Sequence, residues 1–195
     1  NFNIIILDKT SKKNFKKNYS KIKKNIFYFE VDLLEIKKTE KKIQQIISKF
    51  KTIDILINCA GIQYISKIEN FPTNEWRKVI DINLTSSFIT SKNIIPVMKK
   101  NNSGRIINIS SVHGLVASEN KSAYVASKHG LIGLTKAIAL ELSKTKITCN
   151  AISPGWVLTP LVEKQIKKLA SINKTSIEIE KKNLLFEKHP NQKFV

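Results

Sequence analysis

Tyr124 and Lys128 are residues whose types and spacing could together do chemistry. They lie four residues apart in the stretch SAYVASKHG, residues 122–130, whose other members are mostly small or apolar. A tyrosine hydroxyl has a pKa of about 10 and is a poor acid or base at neutral pH, but a nearby ammonium favours the phenolate and lowers that pKa. On a helix this spacing places both side chains on one face. The pair therefore predicts a proton-transferring tyrosine, with a buried tyrosine beside a solvated lysine as the structural alternative.

Ser111 strengthens the prediction of a catalytic site. It follows RIINIS, residues 105–110, which is typical of a buried β-strand. Sites in α/β proteins lie beyond the carboxyl ends of parallel strands, and a hydroxyl there can hydrogen-bond to a substrate oxygen beside Tyr124. A turn or a helix cap is the alternative role for this serine.

Short β-branched runs alternate with segments of helical periodicity along the chain. We predict strands at 3–7, 26–31, 53–58, 105–110 and 147–152, and helices at 35–50, 73–100 and 122–143. The first two strands end in Asp8 and Asp32 and read as strands buried on both faces. In the helix at 73–100, the residues expected to face the core are Trp76, Val79, Ile80, Phe88 and Ile94. The alternation predicts an α/β fold, a doubly wound parallel sheet with right-handed crossovers, in one domain spanning residues 1–195.

The turn after the first predicted strand differs from that of a dinucleotide-binding fold. In that fold, glycines after the first strand let the backbone approach a pyrophosphate at a helix N-terminus. This strand instead ends in Asp8, the kind of residue that the second strand offers to a ribose. We therefore expect the sequence to begin about 30 residues late in a βαβ unit and to stop before the last strand, so that the fold is incomplete at both ends. Such a chain is expected to bind a dinucleotide weakly, and a non-catalytic remnant is the alternative.

The composition narrows the range of partners. The net charge of +19 would attract polyanions, but the basic residues are almost all lysine, spread along the chain without interleaved stacking aromatics. We expect no nucleic acid partner, and a basic nucleic-acid-binding module with salt-dependent affinity is the alternative. The apolar runs are too short to span a bilayer and the N-terminus lacks a secretory pattern. These features predict a cytoplasmic protein that does not bind membranes.

The cysteines predict neither a disulfide framework nor a metal site. Cys59 and Cys149 are the only two in the chain. They are too few for a disulfide scaffold and lack the spacing of metal ligands, which fits a reducing compartment.

Five segments together resemble the short-chain dehydrogenase/reductase family: NCAG (58–61), DINLTSSF (81–88), RIINISS (105–111), YVASK (124–128) and NAISPGWVLTP (150–160). The resemblance runs over essentially the whole chain and implies a Rossmann-like fold and a nicotinamide-dependent oxidoreductase. It implies that Tyr124 is the general acid/base and that Ser111 positions the reacting oxygen. It also implies that Lys128 lowers the tyrosine pKa and holds the nicotinamide ribose, and that Asn83 keeps open a water-linked proton path.

The same resemblance implies a site for NAD. Asp8 falls where the family accepts the adenosine ribose hydroxyls, and an acid there disfavours the 2'-phosphate of NADP; a loop acid at a strand end is the alternative. Tyr124 and Lys128 also contribute to this site. The remaining positions flank the adenine, pass behind the adenosine or border the nicotinamide: Asp32, Leu33, Cys59, Ala60, Gly61, Pro154, Gly155, Val157 and Thr159. The family motif has asparagine at the position of Cys59, which matters little if backbone groups make the contact.

Within the family, AGIQ, SSVHGLVASENKSAYVASKHG and CNAISPGWVLTPLVEKQI resemble the branch that interconverts (R)-3-hydroxybutyrate and acetoacetate. The implied substrate-binding residues are Gln63, Ser111, His113, Lys121, Tyr124, Trp156 and Gln165. One cation and several hydrogen-bond donors beside a hydride-transfer site suit a small carboxylate-bearing substrate. Each of these residues also has an ordinary surface or packing role as its alternative.

Other members of the family are the nearest functional alternatives. A reductase of 3-oxoacyl thioesters or a polyol dehydrogenase would share the serine, tyrosine and lysine. The resemblance further implies a homotetramer, built on the helices predicted at 73–100 and 122–143.

Overall fold

The computed structural model describes residues 2–18 and 25–186, in which helical segments connect successive strands and two helices follow the last strand. The strands are β1 (Ile4–Asp8), β2 (Ile26–Glu30), β3 (Ile55–Asn58), β4 (Gly104–Ile109) and β5 (Ile147–Ile152). The helices are α1 (Lys12–Asn18), α2 (Ile36–Phe50), α3 (Thr73–Ile80), α4 (Ser86–Lys100), α5 (Ser122–Glu141), α6 (Pro160–Asn173) and α7 (Ile177–Phe186). Each predicted strand and helix is present, and the bounds of β5 are those predicted.

The strands form two parallel sheets. β1 pairs with β2, and β3, β4 and β5 pair in that order. Parallel strands joined through helices require crossover connections, which place helices on the faces of the sheet. The predicted α/β doubly wound architecture is confirmed.

The prediction that the first two strands are buried on both faces is wrong. β1 and β2 contain only half-buried and exposed residues, and Ile4 in β1 is 49% exposed. In the described part of the chain these strands pair only with each other, so each keeps one unpaired edge. In the same part of the chain β3 pairs only with β4, so it also keeps one unpaired edge, and its residue Ile57 is 57% exposed. Burial on two faces requires neighbours that β1 and β2 do not have here.

The main core lies between the three-stranded sheet and its helices. Its buried residues are Ile43, Ile94, Met98, Ile106, Ile138, Leu142, Ile147 and Cys149. α2 carries Ile43 into this core and packs along α4, where the Gln44 amide donates to Asn93 Oδ1 at 3.0 Å. Because α2 follows β2 directly, this packing connects the two-stranded sheet to the rest of the protein.

Residues 73–100 form one helical stretch, as predicted, but a π-helical turn (Asp81–Thr85) separates α3 from α4. Such turns occur frequently at functional sites. The expectation that Phe88 faces the core is wrong, since its side chain is 47% exposed. Phe88 is nine residues beyond the buried Val79, which on a helix is two and a half turns and thus the opposite face. Among the described residues, no helix combines the length and apolar character needed to cross a membrane.

Candidate active site

The carboxyl ends of β3, β4 and β5 meet at one edge of the sheet. Asn58 aligns with Asn108, and Ile109 aligns with Ile152. Beyond the strands, the amide of Ser110 donates to Ile152 O at 2.8 Å and that of Val112 donates to Pro154 O at 3.0 Å. These bonds hold the segment with Ser111 beside the segment with Trp156, as expected for a site at a parallel sheet edge.

A buried polar network supports this edge from below. The Asn58 amide donates to Asn108 Oδ1 at 2.8 Å, and the Asn108 amide donates to Thr135 Oγ1 at 2.9 Å. The Thr90 hydroxyl donates to Asn58 Oδ1 at 2.7 Å. Together the bonds join β3, β4, α4 and α5, and a fully satisfied buried network of this kind rigidifies its surroundings. Our sequence reasoning missed these residues, although an asparagine within two apolar strand patterns was the available signal.

Tyr124, Lys128 and Ser111 come together as predicted. α5 places the two residues one turn apart, with Lys128 Nζ 5.7 Å from the centroid of the Tyr124 ring. The Ser111 side chain lies close enough to Tyr124 to lower its pKa. Gly130 lets α5 approach the π-helical turn closely, because a Cβ at this position would lie 2.8 Å from Leu84 Cδ2.

The direction of the Tyr124 pKa differs from the expectation. Burial raises the pKa of Tyr124 above its ordinary value, and the hydrogen bond from Ser111 only partly opposes this effect. Lys128 does not reverse this direction, and its ammonium donates to Ile109 O at 2.7 Å. Burial lowers the pKa of Lys128 itself to about 8, against a smaller opposing effect of Cys59. In the protein alone, desolvation therefore dominates both residues.

Asn83 lies in the π-helical turn and joins three segments. The amide of Ile62 donates to Asn83 Oδ1 at 2.8 Å, while Asn83 Nδ2 donates to Ile62 O and to Ser127 Oγ, both at 3.0 Å. Ser127 in turn donates to Tyr124 O at 2.8 Å. Asn83 thus fixes the segment after β3 against α5. Ser127 was not singled out in the sequence, since a small residue inside the YVASK segment reads as helix packing.

The predicted substrate residues form two contacting groups. His113 lies between Tyr124 and Trp156, with ring centroids 5.9 Å and 6.3 Å away. Lys121 Nζ lies 4.9 Å from the centroid of the Trp156 ring. Both His113 and Lys121 are only 7% exposed, so Lys121 is not one of the solvated lysines. Across the site, Gln63 Nε2 donates to Gln165 Oε1 at 3.4 Å, which brings α6 over the segment after β3.

The predicted adenosine-side residues lie on the other sheet. Asp8 ends β1, and its carboxylate accepts a hydrogen bond from the Thr10 amide at 2.7 Å. Asp32 follows β2, its carboxylate accepts from the Leu34 amide at 3.0 Å, and Leu33 between them is half-buried. Asp32 lines a cavity of about 600 Å³, which Lys9 and Lys38 also line.

The remaining predicted cofactor positions lie at the three-stranded edge. Cys59, Ala60 and Gly61 are exposed directly after β3, and a Cβ on Gly61 would stand 3.8 Å from both Asn83 Oδ1 and Lys128 Nζ. Pro154, Gly155 and Val157 are half-buried after β5, and Thr159 caps α6 through its hydroxyl. Within the described residues, no three histidine, cysteine or acidic side chains are grouped to hold a metal ion.

Comparison with known proteins identifies the family. The family profile described as short chain dehydrogenase matches residues 1–170. The chain belongs to this family. As a short-chain dehydrogenase, it is 48% identical over 168 residues to D-beta-hydroxybutyrate dehydrogenase of Cupriavidus necator, an alignment that covers 86% of this chain and 65% of the relative.

Two further comparisons agree with this assignment. D-beta-hydroxybutyrate dehydrogenase of Rhizobium meliloti is 45% identical over 170 residues, which cover 87% of this chain and 66% of the relative. The ligand-free structure of the aldohexose dehydrogenase AldT of Thermoplasma acidophilum superposes with a TM-score of 0.84 and 33% identity, over 98% of this chain and 71% of that chain. The short-chain dehydrogenase described here thus spans just under two thirds of the length of these two curated relatives. The family and the fold predicted from the sequence segments are confirmed.

Proposed function

We propose that this short-chain dehydrogenase is an NAD-dependent oxidoreductase that interconverts (R)-3-hydroxybutyrate and acetoacetate. The observation that carries the proposal is the buried cation beside the catalytic set. Lys121 lies against Trp156, which contacts His113, which contacts Tyr124. A buried ammonium and an imidazole close to a proton-transferring tyrosine suit a substrate whose carboxylate is near its reacting oxygen. The similarity to two proteins named D-beta-hydroxybutyrate dehydrogenase supports the same substrate.

Each residue near the reacting carbon has a distinct task in the proposed mechanism. The hydroxyl of Ser111 donates to the substrate oxygen, and Tyr124 as phenolate takes the hydroxyl proton during oxidation and returns it during reduction. Lys121 holds the carboxylate away from the reacting carbon, with the ring of His113 beside it, which orients that carbon for hydride loss. Bound NAD supplies the hydride acceptor for this chemistry.

The residues around Gly61 fit the nicotinamide ribose. The exposed backbone at Gly61 borders the Lys128 ammonium, which is buried and already directed toward the sheet edge. An ammonium and backbone groups at this edge suit the hydroxyls of a ribose. For the adenosine end, we propose that Asp8 selects NAD over NADP, since a carboxylate repels an additional phosphate.

The direction of the Tyr124 pKa makes the proposed reaction depend on pH. Because burial raises this pKa, the phenolate needed for oxidation is scarce at neutral pH and its population grows as the pH rises. We expect the rate of 3-hydroxybutyrate oxidation to increase with pH and the rate of acetoacetate reduction to decrease. Initial rates in both directions across a pH series measure this, and two parallel profiles would contradict the role of Tyr124.

The substrate assignment is tested by a panel of substrates and by a matched pair of lysine variants. With NAD or NADH, we expect turnover of (R)-3-hydroxybutyrate and acetoacetate, and little turnover of a 3-oxoacyl thioester. Lys121→Met should raise KM for acetoacetate about 10- to 100-fold, because a hydrogen bond from a charged group contributes about 1.5–3 kcal/mol. Lys136→Met, which removes an exposed lysine of α5, is the control and should leave KM unchanged. A preference for the thioester, or an unchanged KM in Lys121→Met, would overturn the assignment.

We further propose that the protein assembles as a homotetramer through α4 and α5. Phe88 on α4 and Leu140 on α5 are large apolar side chains exposed on these helices, and association would remove them from water. Sedimentation equilibrium of the wild type and of Phe88→Asp tests this proposal. A wild-type monomer at high concentration would contradict it.

A further inference from the structure

A chain of side-chain contacts continues beyond the catalytic residues. The Ser111 side chain lies close enough to Tyr124 to lower its pKa, and Ser111 Oγ lies 3.5 Å from His113 Nδ1. On the far side of the imidazole, His113 Nε2 lies 2.8 Å from Ser118 Oγ. Ser111 and His113 are buried, whereas Ser118 is half-buried in the loop before α5. The contacts thus run from the tyrosine to a serine outside the catalytic set.

The contacts of Ser111 restrict where the hydrogens can be placed. The backbone amide of His113 donates to Ser111 Oγ at 3.2 Å, so this oxygen already acts as an acceptor. A serine hydroxyl carries one hydrogen. If that hydrogen is directed at Tyr124 or at a substrate oxygen, Ser111 cannot also donate it to His113 Nδ1. Nδ1 must then carry the hydrogen of the neutral imidazole.

The same reasoning assigns the role of Ser118. A neutral imidazole with its hydrogen on Nδ1 has only a lone pair on Nε2. The 2.8 Å contact to Ser118 is then a hydrogen bond in which the serine hydroxyl donates. In the other tautomer Nε2 would donate to Ser118, and the lone pair on Nδ1 would attract the hydrogen of Ser111 away from the reacting oxygen.

We infer that Ser118 is a positioning residue, whose hydroxyl donates to His113 Nε2 and holds the ring in the tautomer that leaves the Ser111 hydrogen for the reacting oxygen. Its effect on turnover rests on the proposed function, whereas its effect on the tautomer does not. The hydrogen bond between the Ser66 amide and Asn120 O, at 3.0 Å, ties the loop that carries Ser118 to the segment after β3. This bond holds the loop independently of the Ser118 hydroxyl, so removal of the hydroxyl should leave the loop in place.

The tautomer can be measured directly on the chain labelled with 15N at histidine. Long-range proton–nitrogen correlation at a pH of about 8, where an ordinary imidazole is neutral, separates a protonated ring nitrogen from an unprotonated one. His129 supplies an internal reference: its Nδ1 lies 3.0 Å from Val125 O, and a carbonyl only accepts, so Nδ1 of His129 carries the hydrogen. We expect His113, assigned by loss of its signals in His113→Gln, to show the same pattern as His129. A hydrogen on Nε2 of His113 overturns the inference.

Variants at position 118 test the cause of this preference. Ser118→Ala should remove the Nδ1–H preference of His113 and lower kcat for acetoacetate about fivefold, the loss expected for one hydrogen bond of about 1 kcal/mol, with KM for NADH unchanged. Ser118→Thr keeps a hydroxyl and should restore both values. Ser103→Ala, in the exposed turn before β4, is the control for the substitution itself and should change neither.

The two readouts separate failure of this inference from failure of the proposed function. If His113 carries Nδ1–H and responds to Ser118→Ala while the chain fails to turn over 3-hydroxybutyrate, the proposed function fails and the inference stands. If the enzyme is active but the tautomer is the same in Ser118→Ala and wild type, the inference fails and the proposed function stands. A loss of kcat in Ser118→Ala that Ser118→Thr does not restore also contradicts the positioning role.

Discussion

The two sheets of this short-chain dehydrogenase differ in how firmly they hold their functional residues. In the three-stranded sheet, Ile106 of β4 is fully buried and the asparagines below the site are hydrogen-bonded to one another. In the two-stranded sheet, β1 and β2 contain no fully buried residue among those described. Both sheets present acidic or polar residues at their carboxyl ends, but only the first sheet surrounds them with packed helices and a buried network.

The two-stranded sheet has fewer buried residues around its polar residues than the three-stranded sheet has. The two-stranded sheet is anchored through α2, where Phe27 of β2 packs edge to face on Phe50 at 4.8 Å. Tyr28 adds local order, because its hydroxyl lies within hydrogen-bond distance of the carbonyls of Asp8 and Thr10. The residues proposed for catalysis therefore lie beside the well-packed sheet, whereas Asp8, the residue proposed to select the cofactor, ends a strand of the two-stranded sheet. Each prediction below compares matched substitutions, either between the regions of the two sheets or within the better-packed region around the three-stranded sheet.

The same substitution at one tyrosine in each region, Tyr124 on α5 beside the three-stranded sheet and Tyr28 in β2, should give the largest contrast. Tyr124→Phe removes the proposed proton-transfer group and should lower kcat about 10²- to 10⁴-fold. Tyr28→Phe removes only the hydroxyl beside Asp8 and should raise KM for NAD a few-fold while kcat stays near wild type. Steady-state kinetics with both substrates varied measures the contrast, and equal losses of kcat would remove it.

Truncation of one isoleucine in each sheet should lower the free energy of unfolding by different amounts. Ile106→Ala leaves a cavity in the buried core and should lower the free energy of unfolding by about 2–5 kcal/mol. Ile4→Ala in β1, whose side chain is 49% exposed, should cost less than about 1 kcal/mol. Denaturant unfolding monitored by circular dichroism gives both values. If Ile4→Ala is as destabilising as Ile106→Ala, β1 is more buried in solution than the structure shows.

The buried lysine of the better-packed region should make stability depend on pH. Burial lowers the pKa of Lys128 from 10.5 to about 8 in the folded protein. Below pH 8 both states hold the proton and the cost of burying the charge is fully present. Between about pH 8 and 10.5 the folded protein loses the proton first, so the free energy of unfolding should rise with pH, by about 3 kcal/mol at most.

Lys128→Met isolates this contribution. Tyr124 is common to both proteins, so its own titration cancels in the difference between them. We expect the wild type to gain stability relative to Lys128→Met as the pH rises through this window. Lys136→Met removes an exposed lysine from the same helix, and its free energy of unfolding should depend on pH as that of the wild type does. If the free energies of unfolding of wild type and Lys128→Met change with pH in parallel, Lys128 is not buried as a charge.

A pair of glycines within the better-packed region gives the smallest expected effects, with opposite signs. A Cβ on Gly114 would lie 2.7 Å from Ser110 Oγ and 2.9 Å from Lys128 O. Gly114→Ala should therefore push the Ser111 segment away from α5 and cost about 1–3 kcal/mol. A Cβ on Gly133 meets no atom within 4 Å, so Gly133→Ala should stabilise α5 by about 0.5–1 kcal/mol. Thermal unfolding measures both, and a neutral Gly114→Ala would contradict the close approach.

Patterns confined to a few neighbouring residues were predictable from the sequence. The β-branched run at 147–152 predicted β5 with its observed bounds, and the four-residue spacing of Tyr124 and Lys128 predicted their shared helix face. Ser111 was recognisable because a strand that ends in serine places it at the sheet edge. The exposure of β1 was not predictable in this way, since its apolar run is the same whether or not a strand pairs on each side.

The sequence by itself determined the order of strands and helices and the residue types that gather at the sheet edge, because periodicity and spacing act within a few turns or one strand, and its five motif segments indicated the family by resemblance. Only the tertiary structure decided that Asn58 hydrogen-bonds to Asn108, that His113 contacts Ser118, and that burial rather than Lys128 sets the direction of the Tyr124 pKa. Hydrogen-bond partners and desolvation depend on which distant segments pack around a group, and such information is spread over the whole chain.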